Sequence, residues 1–175
     1  MSDRDRVARV ETALLPHLDA AYDLARWLTR DDRDADDVVQ EAYLRALRYL
    51  DGLRGDDGRA WLLTIVRRTC YTWLARHRAG PETAVAAAGD HEPDDAASNP
   101  EALLIRHADR SLVRDAIEAL PLEFREVLVL RELEELSYKE IAAVVEVPLG
   151  TVMSRLARAR ERLHRELARR APRGG

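Results

Sequence analysis

The sequence predicts an all-α protein made of two small helical domains joined by a flexible linker. Its 175 residues are 46% hydrophobic and 34% charged, which is enough apolar content for one core or two small ones. Aromatic residues make up only 5%, with 8 glycines and 7 prolines. The chain is rich in Ala, Leu, Arg and Glu, which favour helices, whereas strands favour β-branched and aromatic residues.

Three or four helices are expected in the first domain, residues 1–79. The apolar period predicts one helix over about 6–28 and a second over about 34–50, after the acidic start at 31–34. The Gly-rich segment 51–58 then interrupts the pattern. A third helix is expected over about 59–77.

Residues 80–99 are predicted to form an acidic, flexible linker. The segment is low in complexity, contains Pro81 and Pro93, and shows no sustained amphipathic period. Asn99 and Pro100 then suit a helix start, with Asn as the cap and Pro in the first turn.

The second domain, residues 100–175, is predicted to contain a helix-turn-helix. Helices are expected over about 101–119 and 122–134. Ser137 and Glu140 have the spacing of a capping box that opens a short helix to about 145, and Pro148 helps to end the turn. A long helix follows over about 150–169, which completes the motif.

The long C-terminal helix has two distinct faces. An apolar stripe is formed by Val152, Leu156, Ala159 and Leu163. Another face places hydroxyls first and arginines after them, as a major-groove recognition helix requires, through Thr151, Ser154, Arg155, Arg158 and Arg162. An ordinary surface helix with arginines for solubility is the alternative interpretation of this pattern alone.

The net charge of −4 hides a strong local asymmetry. Residues 59–78 carry five arginines and no acid, residues 82–95 carry five acids and no base, and residues 149–175 carry eight arginines and two glutamates. Two separated basic segments indicate two contacts with a polyanion. Solvated helix faces are the alternative for either segment alone.

Surfaces of the second and third helices are two further candidates for binding a partner. On the second helix an exposed leucine lies among charges, which is a modest sign of a protein docking face, although a solvated face would also fit. On the third helix, arginines alternate with Trp61 and Tyr71, a pattern that suits single-stranded nucleic acid. Core packing is the alternative for each tryptophan.

Four motifs follow one another along nearly the whole chain. They are DADDVVQEAYLRA at 34–46, RAWLLTIVRR at 59–68, LPLEFREV at 120–127 with LSYKEIA at 136–142, and GTVMSRLARAR at 150–160. In this order they resemble the extracytoplasmic-function sigma factors, the minimal two-domain class of the sigma-70 family of bacterial RNA polymerase subunits. Tyr43, Leu53 and Arg68 stand where Phe, Phe and Asn are common in that family, and Met153 where Lys or Arg is common.

The resemblance implies a role for each surface. The first domain would be region 2, which docks on the β′ clamp helices of core RNA polymerase through Asp37, Gln40, Glu41, Leu44 and Arg45. It would also capture the opened −10 strand, with a flipped base, through Gly52, Leu53, Arg54, Trp61, Arg67 and Arg68. The second domain would be region 4, which contacts the β flap and reads the duplex −35 element through Lys139, Thr151, Ser154, Arg155, Arg158 and Arg162.

The resemblance also implies further partners. The linker would thread through the polymerase towards the RNA exit path, where its acidity would mimic nucleic acid. An anti-sigma factor would hold the protein inactive by occupying both domains.

Other classes of protein fit the sequence less well. A one-component or response-regulator transcription factor would explain the helix-turn-helix but not the first domain, which lacks alternating strands. No enzyme, cofactor or metal site is expected, because the histidines are scattered and Cys70 is the only cysteine. Cys70 lies on the buried side of its helix and is expected to be inert packing. The absence of a signal peptide or an apolar span predicts a cytoplasmic protein without membrane insertion.

Overall fold

The structure, a computed structural model, describes residues 1–55, 57–77 and 100–172, without the side chains of 100–108. Within these residues the chain forms eight α-helices and no strand, so the all-α prediction is confirmed. The helices are α1 (Asp3–Ala13), α2 (Leu18–Thr29), α3 (Asp32–Arg48), α4 (Arg59–His77), α5 (Pro100–Glu118), α6 (Leu122–Glu132), α7 (Tyr138–Val145) and α8 (Leu149–Arg170). The predicted linker at 80–99 and the predicted cap Asn99 lie outside the described residues.

The prediction of one long helix over 6–28 was wrong. The chain instead forms α1, a 3₁₀ turn at Leu15–His17, and α2. The cause is Pro16, which has no backbone N–H and disfavours the helical conformation at the residue before it. The break redirects the chain, so that α1 packs separately from α2.

Side-chain caps fix several helix starts. The Ser137 hydroxyl accepts a hydrogen bond from the Glu140 backbone N–H at 3.1 Å, and the Glu140 carboxylate accepts one from the Ser137 N–H at 3.0 Å. The predicted capping box of α7 is therefore present. The Asp31 carboxylate caps α3 by accepting from the N–H groups of Arg33 and Asp34, each at 2.9 Å.

The first helical block is built on α2, α3 and α4, which contact one another in all three pairs. Its core contains fully buried leucines and small residues, among them Leu24, Leu28, Val38, Leu62, Leu63 and Val66. Cys70 is also fully buried, as predicted, and burial raises the pKa of its thiol to about 12. The thiol therefore stays protonated at neutral pH.

The second block packs α6, α7 and α8 together, and α5 lies against α8. Val152, Leu156 and Ala159 of α8 are buried and Leu163 is partly buried, so the predicted apolar stripe faces the core. Residues Val127 to Leu130 of α6 supply much of the opposite wall. The short α7 and the start of α8 adopt the predicted helix-turn-helix.

The two blocks pack against each other. Helix α4 contacts α7 and α2 contacts α6, and the buried apolar residues of both blocks form one cluster. Helix α4 contacts α2 and α3 of the first block and α7 of the second, so it lies at the contact between the blocks. The basic residues of α4 consequently meet the acidic residues of the second block.

The described part of the chain contains neither a membrane-spanning helix nor a metal-binding cluster. Among residues 1–55, 57–77 and 100–172, none of the helices combines the length and apolar character that a bilayer crossing requires. The same residues contain no group of three or more His, Cys, Asp or Glu side chains that could hold a metal ion.

Replacing Gly58 by alanine should destabilise the first block. An ideal Cβ at Gly58 would lie 2.4 Å from the Ala13 carbonyl oxygen and 3.2 Å from Leu14 Cδ2, so the backbone must shift. We expect a loss of about 1–3 kcal/mol in the free energy of unfolding, which is typical of overpacking. Chemical denaturation of the full chain measures this loss. Gly52→Ala is the control, since no heavy atom lies within 4 Å of its added Cβ, and equal stability of the two variants would contradict the prediction.

Candidate nucleic-acid and docking interfaces

The predicted docking residues lie together on the outer side of α3. Helix α3 buries Ala35, Val38, Ala42 and Ala46 against the core, which turns Asp37, Gln40 and Leu44 outward. Leu44 is 61% exposed, an unusual fraction for a large apolar side chain among charges. Glu41 and Arg45 border it as an ion pair at 2.7 Å. The arrangement is an apolar centre with a charged edge, which suits a protein partner.

In the segment between α3 and α4, some of the residues predicted to bind an opened strand are exposed and one is buried. A 3₁₀ turn covers Leu50–Gly52, and Gly55 has a φ of +77°, in the left-handed region that favours glycine. Gly52 and Arg54 are exposed and available to a ligand. Leu53, by contrast, is only 3% exposed and lies in the core cluster, so its side chain anchors the loop.

Three arginines of α4 bind carboxylates of the second block. Arg67 donates two hydrogen bonds to Glu126 of α6, at 2.7 Å to Oε2 and 3.1 Å to Oε1. Arg68 pairs with Glu146, the residue that ends α7. Arg59, at the start of α4, pairs with Glu140 of α7 at 2.9 Å. Two of the predicted strand-binding arginines, Arg67 and Arg68, are therefore occupied by acidic side chains of the same chain.

The Arg67–Glu126 pair is the most deeply buried of these contacts. The Glu126 side chain is fully buried, and that of Arg67 is 15% exposed. Burial alone would lower the pKa of Arg67, but the hydrogen bonds and charge of Glu126 outweigh it and raise that pKa. The Arg67 guanidinium also lies 4.3 Å from the centre of the Tyr71 ring, which adds a cation–π contact. Trp61 is partly buried and packs against the core cluster.

A second buried arginine joins the two blocks through backbone carbonyls. Arg125 of α6 donates to the carbonyls of Glu118 at 2.9 Å and Leu120 at 3.0 Å within the second block. It also reaches the carbonyl of Leu28 in α2 at 3.4 Å. Burial, reinforced by the nearby charge of Arg30, lowers the pKa of Arg125 to about 10. The guanidinium remains charged at neutral pH.

The predicted recognition face of α8 is open to solvent. Ser154 and Arg158 are exposed, while Thr151 and Arg155 are half-buried at the edge of the same face. Within the described residues neither Arg155 nor Arg158 forms an ion pair with an acidic side chain. In this respect they differ from Arg59, Arg67 and Arg68 of α4, which would have to give up an acidic partner before they could bind a ligand.

Other predicted residues frame that face. Lys139 is exposed on α7, the first helix of the helix-turn-helix. The Arg162 guanidinium lies 4.9 Å from the centre of the Phe124 ring, which holds it close to α6. Met153 is 52% exposed beside Ser154 and offers an apolar contact.

The sequence interpretation missed the acidic partners of the α4 arginines and the role of Arg125. Glu126 was visible as a charge directly before the apolar run at 127–130. A carboxylate in that position is expected to be buried with a cation. The identity of its partner was not available, because Arg67 lies 59 residues away in the chain.

Comparison with known families and proteins assigns both blocks to one family. The family Sigma-70 region 2 matches residues 14–80, and the family Sigma-70, region 4 matches residues 110–163. The ECF RNA polymerase sigma-E factor of Escherichia coli K12 is 44% identical over 135 residues, which cover 73% of this chain and 71% of that protein. The RNA polymerase sigma-H factor of Pseudomonas aeruginosa is 41% identical over 145 residues, which cover 78% and 75% of the two chains.

Solved structures share the fold. The sigma factor RpoE of Bartonella quintana, in complex with the anti-sigma factor NepR, superposes with a TM-score of 0.72 at 25% identity, over 89% of this chain and 94% of that one. CnrH, in complex with the cytosolic domain of CnrY, superposes with a TM-score of 0.65 at 24% identity, over 97% and 100% of the chains.

Glu134 should make the packed form less stable as the pH rises. Burial and the neighbouring charge of Asp23 raise the pKa of Glu134 from 4.5 to about 7, although Arg59 partly opposes them. An acid with a raised pKa in the folded state binds more protons there than when unfolded, so stability falls between about pH 4.5 and 7. Glu134→Gln should therefore gain stability relative to the unchanged chain as the pH rises from 5 to 8.

Urea denaturation at a series of pH values measures that difference. Glu123→Gln, which makes the same change at an exposed position of α6, is the matched control. A stability difference between Glu134→Gln and the unchanged chain that stays constant across this pH range would contradict the prediction.

Proposed function

The chain belongs to the extracytoplasmic-function group of the sigma-70 family, and from that membership we propose how it directs core RNA polymerase to promoters. One observation carries the proposal: the outer face of α3, the arginines of α4 and the recognition face of α8 are three separate surfaces. Each has the chemistry of a different partner. The polymerase supplies the catalysis, so this chain has no enzymatic role, and it works in the cytoplasm, where the polymerase acts.

The outer face of α3 would dock on core polymerase. Its apolar centre at Leu44, bordered by Glu41 and Arg45, matches the anatomy of a protein interface. We assign this face to the β′ clamp helices, as in the family, and the second block also to the β flap. Charges around the apolar centre would set the orientation of docking.

Helix α4 and the loop before it would hold the opened −10 strand. Guanidinium groups bind phosphate with the same two-pronged geometry that they use for carboxylate, and aromatic rings stack on unpaired bases. Arg67 and Arg68 would take the phosphates, and Trp61 would lie beside the bases. The exposed loop residues Gly52 and Arg54 would border a pocket for a flipped base.

Helix α8 would read the −35 element in the major groove. Its N-terminal hydroxyls and the two arginines without acidic partners face one side of the helix-turn-helix, as in recognition helices that contact base edges. Lys139 of α7 would contact the phosphate backbone.

The packed arrangement would be a resting form that cannot engage an opened promoter. Glu126 and Glu146 hold the guanidinium groups that the −10 strand needs, so the second block must leave α4 before DNA binds there. The structurally similar sigma factor RpoE of Bartonella quintana was solved with the anti-sigma factor NepR bound. We propose that an anti-sigma factor likewise controls this protein by holding the packed form.

A transcription factor that works without polymerase is the second candidate, because the helix-turn-helix is exposed. Run-off transcription with core polymerase, with and without this protein, separates the two. New start sites that require the protein would support the sigma-factor role. Tight binding of the chain alone to duplex DNA, with no start site that depends on it, would favour the second candidate.

Exchanging the charges of the docking face should weaken binding to core polymerase. Glu41→Lys combined with Arg45→Glu reverses both charges and preserves an ion pair four residues apart, so folding should change by only a few tenths of a kcal/mol. Affinity for core polymerase should fall by about tenfold or more, since complementary charges become repulsive. The exposed pair Glu161 and Arg165 on α8 has the same spacing, and its exchange is the matched control. Unchanged affinity of the α3 variant for core polymerase would contradict the assignment of this face as the docking surface.

Arginines of the recognition helix should divide into two classes. Loss of Arg155 or Arg158 should cost about 1–3 kcal/mol and relax selectivity at one −35 position, as expected for a base contact. Loss of Arg162 should instead weaken all promoters alike and lower the salt slope by about one unit. Transcription from a −35 library with each single Ala variant measures both effects. Uniform loss for both Arg155→Ala and Arg158→Ala would contradict direct readout.

Loosening the contact between the two blocks should expose the −10 surface. Glu146→Lys places a like charge beside Arg68 and should weaken the contact between the blocks by about 1 kcal/mol, so the chain alone should bind a single-stranded −10 oligonucleotide severalfold more tightly. Fluorescence energy transfer between labels on α3 and α8 reports the separation. Glu123→Lys makes the same charge change at an exposed position of α6 and is the control. Equal oligonucleotide affinity in the two variants would argue against a closed resting form.

A further inference from the structure

Helix α1 has no role assigned by the family comparison. It covers Asp3–Ala13, whereas the region 2 match begins at residue 14 and the region 4 match at residue 110. Most of its surface is exposed, including Val7 at 57%. Two of its arginines nevertheless reach across to the segment that joins α3 to α4.

Arg9 holds the centre of that loop. Its guanidinium donates a hydrogen bond to the backbone carbonyl of Leu53. The Leu53 N–H donates to the Leu50 carbonyl at 3.0 Å, and the Leu53 side chain is buried in the core. Leu53 is thus fixed at its N–H, its carbonyl and its side chain, and the exposed Gly52 and Arg54 flank this fixed point.

Other contacts from the same part of the chain hold the two ends of the loop. Arg6 donates to the Leu47 carbonyl at 2.8 Å and lies 3.5 Å from the Asp51 carboxylate. At the far end, the ring of His17 lies 3.6 Å from the Asp57 carboxylate. The loop is therefore held before, at and after Leu53 by side chains of residues 6–17.

We propose that α1 is a brace that shapes the loop for recognition of an unpaired −10 base, and that Arg9 is its main positioning residue. The inference rests on the proposed function of the loop and adds a determinant outside the region 2 match. Side chains held in place before binding lose less entropy on binding and discriminate better between ligands. Arg9 would thus act on the choice of base without touching DNA.

Holoenzyme assembled from core polymerase and the full chain provides the test. Transcription is measured from two promoter libraries, one with the −10 element randomised and one with the −35 element randomised. Arg9→Met keeps the apolar stem and removes the donor, and Arg9→Lys restores one donor. Arg4→Met, at an exposed position of the same helix, is the matched control.

Arg9→Met should lower base preference at one or two adjacent −10 positions by about fivefold or more, which is the range for a lost specific contact. The −35 preferences and the affinity for core polymerase should stay unchanged. Arg9→Lys and Arg4→Met should keep the preferences of the unchanged chain. Hydrogen exchange at the loop amides should speed up in Arg9→Met, while the amides of α3 and α4 keep their rates.

Unchanged −10 preferences in Arg9→Met, with a uniform loss at all promoters, would overturn the brace. Arg54→Ala separates this failure from a failure of the proposed loop function. If Arg54→Ala alters −10 preferences and Arg9→Met does not, only the brace is wrong; if neither does, the loop does not read the base and both proposals fall. Should Arg9→Met not fold, Arg6→Met replaces it, and unchanged −10 preferences in that variant overturn the brace.

Discussion

The buried ion pair between Arg67 and Glu126 is the constraint on which the packing of this protein depends. Both carboxylate oxygens of Glu126 accept from one guanidinium, at 2.7 and 3.1 Å, and the Glu126 side chain has no exposed surface. Removing one partner from such a pair costs about 3–5 kcal/mol, because the remaining charge stays buried without compensation. Since Arg67 belongs to α4 and Glu126 to α6, this pair exists only while the two blocks are in contact. Other charged contacts between the blocks are Arg59 with Glu140, Arg68 with Glu146 and Arg26 with Glu118.

The same interaction connects the packing to the proposed function. The Arg67 fork binds a carboxylate in the packed form, and it would bind a phosphate of the opened strand after the blocks separate. The pairs of Arg59 with Glu140 and of Arg68 with Glu146 are more exposed, and exposed pairs stabilise proteins by only about 0–1 kcal/mol each. A second pair with little exposure, Arg26 of α2 with Glu118 of α5 at 3.3 Å, also joins the blocks. Two pairs with little exposure and two more exposed ones make a contact that is specific in register and still reversible. Such a surface allows the arginines to exchange the carboxylates of the second block for phosphates of the DNA.

Local patterns predicted most of the helices. The predicted bounds of 59–77 match α4, and the predicted helix-turn-helix is formed by α7 and α8. The failure at α1 and α2 also had a local cause, because Pro16 was visible in the sequence and its effect on the helix was overlooked. Leu53 shows a different limit. The resemblance placed it among the residues that contact the −10 strand, but its side chain is buried in the core cluster, and its carbonyl accepts a hydrogen bond from Arg9, 44 residues earlier in the chain.

The sequence by itself determined most of the helices, the α7 capping box and the charged faces, because each depends on residues within about four positions of one another. It also contained the order of motifs that identifies the family. Only the tertiary structure decided which arginines are free for a ligand and which are already paired. The α8 arginines at 155 and 158 remain on the surface, whereas those at 59, 67 and 68 meet carboxylates 81, 59 and 78 residues away. The physical reason is that ion pairing depends on distance in space. For residues so far apart in the chain, that distance is set by how whole helices pack.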